Sequence, residues 1–366
     1  MLIGTDRERR TIYLISATNT TDMSLMLEEI AEQPAALAKT IAEERQKVER
    51  LAWAVRAREI DLIVLVARGS SDNAALFGRY LLEITTGIPV SLSAPSVHTL
   101  YRAKLNLKHA LVIGVSQSGE GQDINCVLEN ARASGAFTIG ITNEPNSAMT
   151  KLVDETLLMH GGKEQSVAAT KTFTGQMMLF YMLAAALSRD GKSIDYEKIP
   201  DFASRALEQK AAIVELVQRY AFMENCVVVG RGLAYANAYE FALKLMETCY
   251  VVAERFSSAD FLHGPLAMIE RHFPVFLFAP PGVMHDGTGD LISRLQELRA
   301  ETLAITADLE TASACSRSII MPREIDEFLA PIPYIIPAQL FAALLAEAKG
   351  LDPDKPRSLS KVTRTL

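Results

Sequence analysis

The 366-residue chain lacks most signals of disulfide-stabilised, metal-binding and nucleotide-binding proteins. Its four cysteines are far apart and include no C-x-x-C pair, which indicates free thiols in a reducing compartment. Its six histidines show no metal-ligand spacing. Neither G-x-x-x-x-G-K-[ST] nor G-x-G-x-x-G occurs, so ATP and NAD are poor candidates for a ligand. We therefore expect chemistry that needs no metal and no other cofactor.

Excess positive charge and long hydrophobic runs are also missing from the sequence. The net charge of −7 argues against a broad nucleic-acid-binding surface. No segment has the pattern of a transmembrane helix, and the charged stretch Asp6–Arg10 near the start is unlike a secretory signal. These features predict a cytoplasmic protein that binds neither nucleic acid nor membrane. With 49% apolar residues, the chain is long enough for two ordinary domains.

Short apolar runs alternate with helical patterns along the chain. After helical patterning over 25–57, with a break at Pro34, the first half carries predicted strands at 62–67, 88–90, 110–115, 137–141 and 155–159. A long helix is predicted over 167–189. The design then repeats, with a helix at 201–220, strands at 226–230, 275–278, 302–305 and 318–320, and a helix at 338–349.

This alternation predicts an α/β protein made of two similar halves, each a parallel sheet flanked by helices in a flavodoxin-like three-layer sandwich. The sequence divides as an N-terminal tail at 1–22, a first subdomain with N-terminal helices at 23–195, a second subdomain at 196–350 and a C-terminal tail at 351–366.

The stretch Gly114–Asp123, with the sequence GVSQSGEGQD, is the most informative segment of the chain. It lies between a buried strand and a helix, so backbone N–H groups and a helix dipole point at one place, which suits an anion. Ser116 and Ser118 add hydroxyl donors, and Gln117 adds an amide. A phosphorylated small metabolite is the expected ligand.

A second hydroxyl pair, Ser70 and Ser71, follows the strand at 62–67. In parallel sheets, ligands bind beyond the carboxyl ends of strands, so two neighbouring strands would place both turns at one crevice. Each turn alone is explained by serines that cap helices, whereas the two together favour a binding site. The backbone of Val167–Lys171, which includes Ala168 and Thr170, either contacts ligand oxygens or forms an ordinary first helical turn.

Three features of the second half carry ionisable groups. Lys244 and Glu247 share one face of a mostly apolar helix, which suits either a structural ion pair or a general base with a raised pKa. His263 precedes a Gly-Pro turn that holds the imidazole in place, and alone it is more typical of a structural residue. Lys361 lies in a basic tail of a kind that is normally solvated.

Together these segments resemble the sugar isomerase (SIS) domain family, and in particular the isomerase half of the glucosamine-6-phosphate synthases. The likeness extends from about Met26 to the C-terminus. It rests on segments that match in order and spacing, namely Met26–Pro34, Ser116–Glu120, Val167–Lys171, Ala242–Glu247, His263–Ala267, Leu329–Pro333 and the tail at Lys361.

The resemblance implies two SIS subdomains, usually in a homodimer, and a role for each matched residue. Ser71, Ser116, Gln117 and Ser118 would hold the sugar phosphate. Glu247 would move a proton between C1 and C2, and Lys244 would support the hydroxyl chemistry. His263 would assist ring opening, reaching the neighbouring subunit's site, and Lys361 would cover the open-chain sugar on a closing tail.

The chain departs from the synthases at two positions: Gly121 replaces a hydroxyl residue, which removes one expected phosphate contact, and Ala169 replaces a serine. The form of Val167–Lys171 and the ending Lys361–Thr365 look more like those of the stand-alone SIS enzymes. The synthases carry a glutaminase domain with an N-terminal cysteine, and no cysteine precedes Met26 here, so glutamine is not the expected nitrogen donor.

We therefore expect a deaminase/isomerase that converts glucosamine 6-phosphate to fructose 6-phosphate and ammonia. The alternatives are an isomerase or deglycase of another phosphosugar, such as a galactosamine or fructosamine phosphate, and a sugar-phosphate sensor without catalysis.

Overall fold

The computed structural model describes residues 23–188, 193–283 and 285–361. The predicted tail at 1–22 and residues 362–366 of the predicted C-terminal tail lie outside the described residues. Within the described part, two five-stranded parallel sheets are flanked by helices, which confirms the predicted α/β architecture.

The first sheet has the strand order β2-β1-β3-β4-β5. Its strands are rich in Val, Ile and Leu, and β3 and β4 are buried along their whole length because helices cover both faces of the sheet. The strands are β1 (Leu62–Val66), β2 (Val90–Leu92), β3 (Ala110–Val115), β4 (Phe137–Thr142) and β5 (Glu155–Leu158).

The second sheet repeats the topology of the first. Its strands are β6 (Asn225–Val229), β7 (Val252–Phe256), β8 (Pro274–Ala279), β9 (Glu301–Thr306) and β10 (Arg317–Ile320). Their order is β10-β9-β8-β6-β7, so each half has the order 2-1-3-4-5 when its strands are numbered from its own start. This is the doubly wound flavodoxin-like order. The second strand is added on one side of the first strand, and all later strands are added on its other side.

The helices pack on both faces of each sheet. They are α1 (Leu25–Ala31), α2 (Gln33–Arg56), α3 (Ser70–Thr86), α4 (Pro95–Thr99), α5 (Gln122–Ala133), α6 (Ala148–Leu152), α7 (Lys171–Leu187), α8 (Ile199–Leu207), α9 (Lys210–Val217), α10 (Tyr235–Cys249), α11 (Ser258–Leu262), α12 (His285–Glu297), α13 (Leu309–Ala314) and α14 (Pro331–Ala348). Short 3₁₀ turns occur at Tyr196–Lys198, Gln218–Tyr220, Gly232–Ala234 and Pro265–Met268.

Several predicted helix boundaries were wrong. The long helix of the first half begins at Lys171 rather than at Val167, because the backbone bends at Thr170 (φ −133°, ψ −72°). The helix predicted over 201–220 is divided into α8, α9 and a 3₁₀ turn. The edge strand β7 was not predicted, because Glu254 and Arg255 interrupt its apolar pattern.

Two expectations about α14 were wrong. It begins at Pro331 and contains Pro337, whereas the prediction placed its start at residue 338. By length and composition α14 is apolar enough to cross a membrane, contrary to the expectation that no segment would be. It is buried almost entirely inside the protein, as the core helix of a globular fold would be.

The largest core lies between the two sheets. Apolar side chains of α2, α3 and α7 pack there with those of α8, α10 and α14, and both sheets contribute inner-face residues such as Ile113 and Phe276. This core crosses the predicted boundary between residues 195 and 196, which stays a prediction. Its packing brings α3 of the first half against α10 of the second half.

Candidate active site

The two predicted hydroxyl clusters meet at one crevice. Strands β1 and β3 are direct parallel neighbours, so the turns that follow them lie side by side at the carboxyl edge of the sheet. A cavity of about 330 Å³ opens there. Of the predicted site residues, those that line it are Ser70, Ser71, Ser116, Gln117, Ser118, Val167, Glu247 and Lys361.

Three serine hydroxyls of the cavity already accept a hydrogen bond from the protein. Ser71 Oγ accepts from Gln176 Nε2 at 3.0 Å, and Ser116 Oγ accepts from the Gly119 amide at 3.1 Å. Ser118 Oγ accepts from the amide of Glu120 at 3.3 Å. Since a hydroxyl that accepts a hydrogen bond keeps its own proton to donate, these three groups can still donate to a ligand, and acceptor-rich anions fit such a set.

Two helices add partial positive charge to the same place. Helices α3 and α5 both begin at the cavity, so their first N–H groups and dipoles favour an anion. The turn before α5 depends on Gly119, which has φ +65° and packs so closely that a Cβ atom would lie 2.2 Å from Ser147 Oγ. The predicted arrangement of strand, turn and helix is thus present, and phosphate binding at this turn stays a prediction.

Helix α10 brings an ion-pair network to the cavity. Lys244 Nζ lies 2.6 Å from Glu247 Oε2 and 3.3 Å from Glu240 Oε1. The side chains of Lys244 and Glu240 are fully buried, whereas that of Glu247 is 24% exposed and reaches the cavity. Glu247 is thus the carboxylate of this network that a ligand can contact.

Burial and charge act in opposite directions on the two buried groups. Burial raises the pKa of Glu240, and the Lys244 ammonium only partly offsets this effect. Burial alone would lower the pKa of Lys244, but the carboxylates of Glu240 and Glu247 together raise it above its usual range. Lys244 therefore stays charged and holds Glu247 in place through a charge-assisted contact.

Ser70 connects this network to the phosphate turn. Its hydroxyl donates to Glu240 Oε1 at 2.9 Å and accepts from Lys244 Nζ at 3.2 Å, while Asn73 Nδ2 donates to Glu240 Oε2 at 2.8 Å. The hydroxyl proton of Ser70 is therefore directed to Glu240, although the residue lines the cavity. The expected ligand contact of Ser70 stays a prediction.

The C-terminal segment closes one side of the cavity. Lys361 Nζ donates to Glu164 Oε2 at 2.8 Å and to the carbonyl of Ser166 at 2.7 Å. Burial would raise the pKa of Glu164, but Lys361 and hydrogen bonds from Thr172 and Thr170 overcome it and hold the pKa below its usual range. This contact brings Lys361 to the cavity, where the resemblance implied that it would be.

The loop before α7 offers fewer backbone donors than expected. The amide of Val167 donates to the carbonyl of Asp354 at 3.3 Å, and the amide of Thr170 donates to Glu164 Oε1 at 3.0 Å. Ala168 is fully buried, and neither Ala168 nor Thr170 lines the cavity, whereas Val167 and Ala169 do.

His263 lies apart from the other predicted catalytic residues. It is the exposed C-cap residue directly after α11, and it is not among the described residues that line the cavity. Its predicted role at the site of a neighbouring subunit stays a prediction.

Sequence reasoning missed two buried carboxylates that organise the site. Glu240 is four residues before Lys244, on the same helix face, so the i, i+4, i+7 spacing of Glu240, Lys244 and Glu247 was an available signal. Glu164 had no comparable signal, because its partner Lys361 lies 197 residues away.

The fold is a doubly wound α/β fold, and its cavity is lined by serine hydroxyls and two helix N-termini beside a buried ion-pair network. Comparison with known proteins agrees with this class. The family model of the SIS domain matches residues 58–186 and 223–347, and the chain belongs to this family.

Two relatives share appreciable sequence with the chain. A glutamine–fructose-6-phosphate aminotransferase (isomerizing) of Methanothermobacter thermautotrophicus is 36% identical over 341 residues, covering 92% of this chain and 56% of that protein. The chain thus spans little more than half the length of that relative. The solved C-terminal domain of glucosamine-fructose-6-phosphate aminotransferase from Francisella tularensis has a TM-score of 0.81 and 27% identity, covering 93% of this chain and all of that domain.

A more distant structure supports the fold alone. Glucosamine-6-phosphate deaminase from Thermotoga maritima has a TM-score of 0.71 at 22% identity, and the match covers 93% of this chain and 100% of that one.

Proposed function

We propose that this chain is a phosphosugar isomerase that acts as a deaminase, converting glucosamine 6-phosphate and water to fructose 6-phosphate and ammonia. The observation that carries the proposal is the placement of Glu247, held by Lys244, on the same cavity as the hydroxyls of Ser71, Ser116 and Ser118. A phosphate bound by these hydroxyls would leave the sugar carbons facing the carboxylate.

The proposed reaction needs only proton transfers and water. After ring opening, assisted by His263, Glu247 takes the proton from C2 of the open-chain aminosugar and returns it to C1. In the same exchange the C1 oxygen takes up a proton and the C2 nitrogen gives one up, so the C2 amine becomes a C2 imine and the C1 aldehyde becomes an alcohol. Water adds to the imine and ammonia leaves, which gives the ketose phosphate. General acid–base steps of this kind each contribute about 10²–10⁴-fold.

The departure at Ala169 supports a deaminase over a synthase, because the form of Val167–Lys171 resembles that of stand-alone SIS enzymes. The name of the Methanothermobacter relative supports the isomerase part, since that protein is called isomerizing. We further propose a cytoplasmic homodimer in which His263 reaches the site of the second copy, because it is exposed and apart from the cavity of its own chain.

The test is a substrate profile with the purified protein. Glucosamine 6-phosphate, galactosamine 6-phosphate and a fructosamine 6-phosphate are each incubated, and ammonia or amine release and ketose phosphate formation are measured in parallel. Stoichiometric ammonia and fructose 6-phosphate from glucosamine 6-phosphate is the expected result. Turnover of another phosphosugar alone would identify a different isomerase or deglycase, and binding without any turnover would identify a sensor.

A further inference from the structure

Arg68 is a cation of the cavity to which neither the sequence motifs nor the proposed reaction assigns a role. It lies two residues after the end of β1 and precedes Gly69, whose positive φ of +58° turns the chain into α3. Its side chain is 54% exposed and lines the cavity. An arginine placed in this way is available to a ligand that enters the crevice.

A buried carboxylate fixes the orientation of Arg68. Its Nε donates to Asp123 Oδ2 at 2.7 Å, and the Asp123 side chain is only 3% exposed. Asp123 lies in the first turn of α5, directly after Gly121 and Gln122, so the bond holds the guanidinium beside the start of this helix. Because this bond uses the single N–H of Nε, it leaves the four N–H donors of the two Nη groups unused.

The charges at the cavity make this guanidinium important for an anionic ligand. Lys361 already donates to Glu164 and to the Ser166 carbonyl, and Lys244 is buried among carboxylates. Among the described residues that line the cavity, Asp123 and Glu247 add negative charge near the hydroxyl turns. A phosphate dianion in the cavity would be repelled by these carboxylates, and Arg68, with 54% of its side chain exposed against 24% for Lys361, is a cation placed to oppose them.

The start of α5 also favours a role for Arg68 in binding an anion. Gly121 is the N-cap residue of α5 and has no side chain that can donate to an anion. A guanidinium can supply two parallel N–H donors to phosphate, which a hydroxyl cannot.

We propose that Arg68 binds the phosphate group of the substrate through its Nη donors and thereby selects phosphorylated over unphosphorylated sugars. This inference rests on the proposed function, since it assigns a further binding residue to the same site. Arg68 contacts no group that changes covalently, so its loss weakens binding and leaves the proton transfer itself intact.

The direct test is calorimetric binding of glucitol 6-phosphate, a sugar-alcohol phosphate that cannot be isomerised, to wild type and Arg68→Gln. A hydrogen-bonded charged pair is expected to contribute about 10- to 100-fold in affinity, so Arg68→Gln should bind that much more weakly. Arg68→Lys should fall between the two, because it keeps the charge and loses the two-pronged geometry. In turnover assays Arg68→Gln should raise KM by a similar factor and leave kcat nearly unchanged.

The matched control is Arg79→Gln. Arg79 lies on α3, is 46% exposed and forms an ion pair with Glu83 at 3.8 Å, but it does not line the cavity. This variant should bind glucitol 6-phosphate as wild type does.

A double variant separates direct binding from simple charge compensation. If Arg68 only neutralises Asp123, then Arg68→Gln combined with Asp123→Asn should regain wild-type affinity, and the inference is overturned. If the Nη groups hold the phosphate, the double variant stays weak. Equal binding by wild type and Arg68→Gln would also overturn the inference while leaving the proposed function intact. Absence of binding to the wild-type protein would instead refute the proposed function, and this inference with it.

Discussion

Glu240 is the buried carboxylate on which the α10 ion-pair network depends, and its removal gives a strong test of the site. Its side chain has no exposed surface, pairs with Lys244 and accepts hydrogen bonds from Ser70 and Asn73. Glu240→Ala would leave the Lys244 ammonium buried with one carboxylate and would leave two donors unpaired. Removing one partner of a buried pair typically costs about 3–5 kcal/mol, so we expect a loss of that size in the free energy of unfolding.

Glu240→Gln should be milder, because the amide keeps the volume and can still accept from Asn73. We expect the free energy of unfolding to fall by about 1–3 kcal/mol, which is the cost of one imperfect hydrogen bond to a charged group. The assay is urea unfolding followed by circular dichroism. Glu197→Ala is the control, because Glu197 forms an exposed pair with Arg45 and its loss should leave the transition unchanged.

The test is the order of the urea concentrations at which the three variants unfold. The structure predicts that Glu240→Ala unfolds at the lowest urea concentration, Glu240→Gln at an intermediate one and Glu197→Ala with the wild type. If Glu240→Ala matches wild type within about 1 kcal/mol, which is typical of an exposed pair, Glu240 does not hold a buried network.

Three further predictions follow from single contacts. Gly119→Ala should weaken phosphate binding and lower the melting temperature, because alanine adds backbone strain at φ +65° and a clash with Ser147. Unchanged phosphate binding in calorimetry would contradict this account of the turn. The folded state holds the pKa of Glu164 below its usual 4.5, so Glu164 contributes stability above about pH 4.5 that is lost as pH falls through the lowered value. The difference in unfolding free energy between wild type and Glu164→Gln should therefore shrink in acid, and a constant difference from pH 7 to pH 3 would refute the assignment. Burial raises the pKa of Cys249 to about 11, so iodoacetamide at pH 7.5 should label it only after unfolding, and rapid native labelling seen by mass spectrometry would be inconsistent with its burial.

The sequence predicted those parts of the fold and site whose signals are local. The strands β1 and β3 are unbroken apolar runs, and the hydroxyl turn at Ser116–Ser118 lies between a strand and a helix that are both evident. Because β1 and β3 pair in parallel, the two turns meet as the general rule for such sheets predicts.

Features that depend on distant partners were not predictable in this way. The start of α7 is set by Glu164, which binds the amides of Thr170 and Thr172 and thereby fixes a bend that local propensity does not reveal. Lys361 had no local signal at all, since a basic residue in a tail is normally solvated. Only the resemblance to the SIS family identified it, and the structure shows the buried carboxylate with which it pairs.

The central claim is that Glu247 performs the proton transfer on a phosphosugar held by the hydroxyl turns. The most direct measurement compares wild type with Glu247→Gln for both turnover of glucosamine 6-phosphate and calorimetric binding of glucitol 6-phosphate. The account predicts that Glu247→Gln releases ammonia and fructose 6-phosphate at least about 10²-fold more slowly while it binds glucitol 6-phosphate nearly as well as wild type. Turnover by Glu247→Gln at the wild-type rate would contradict the claim. Loss of both binding and turnover in a variant that is still folded would contradict it too.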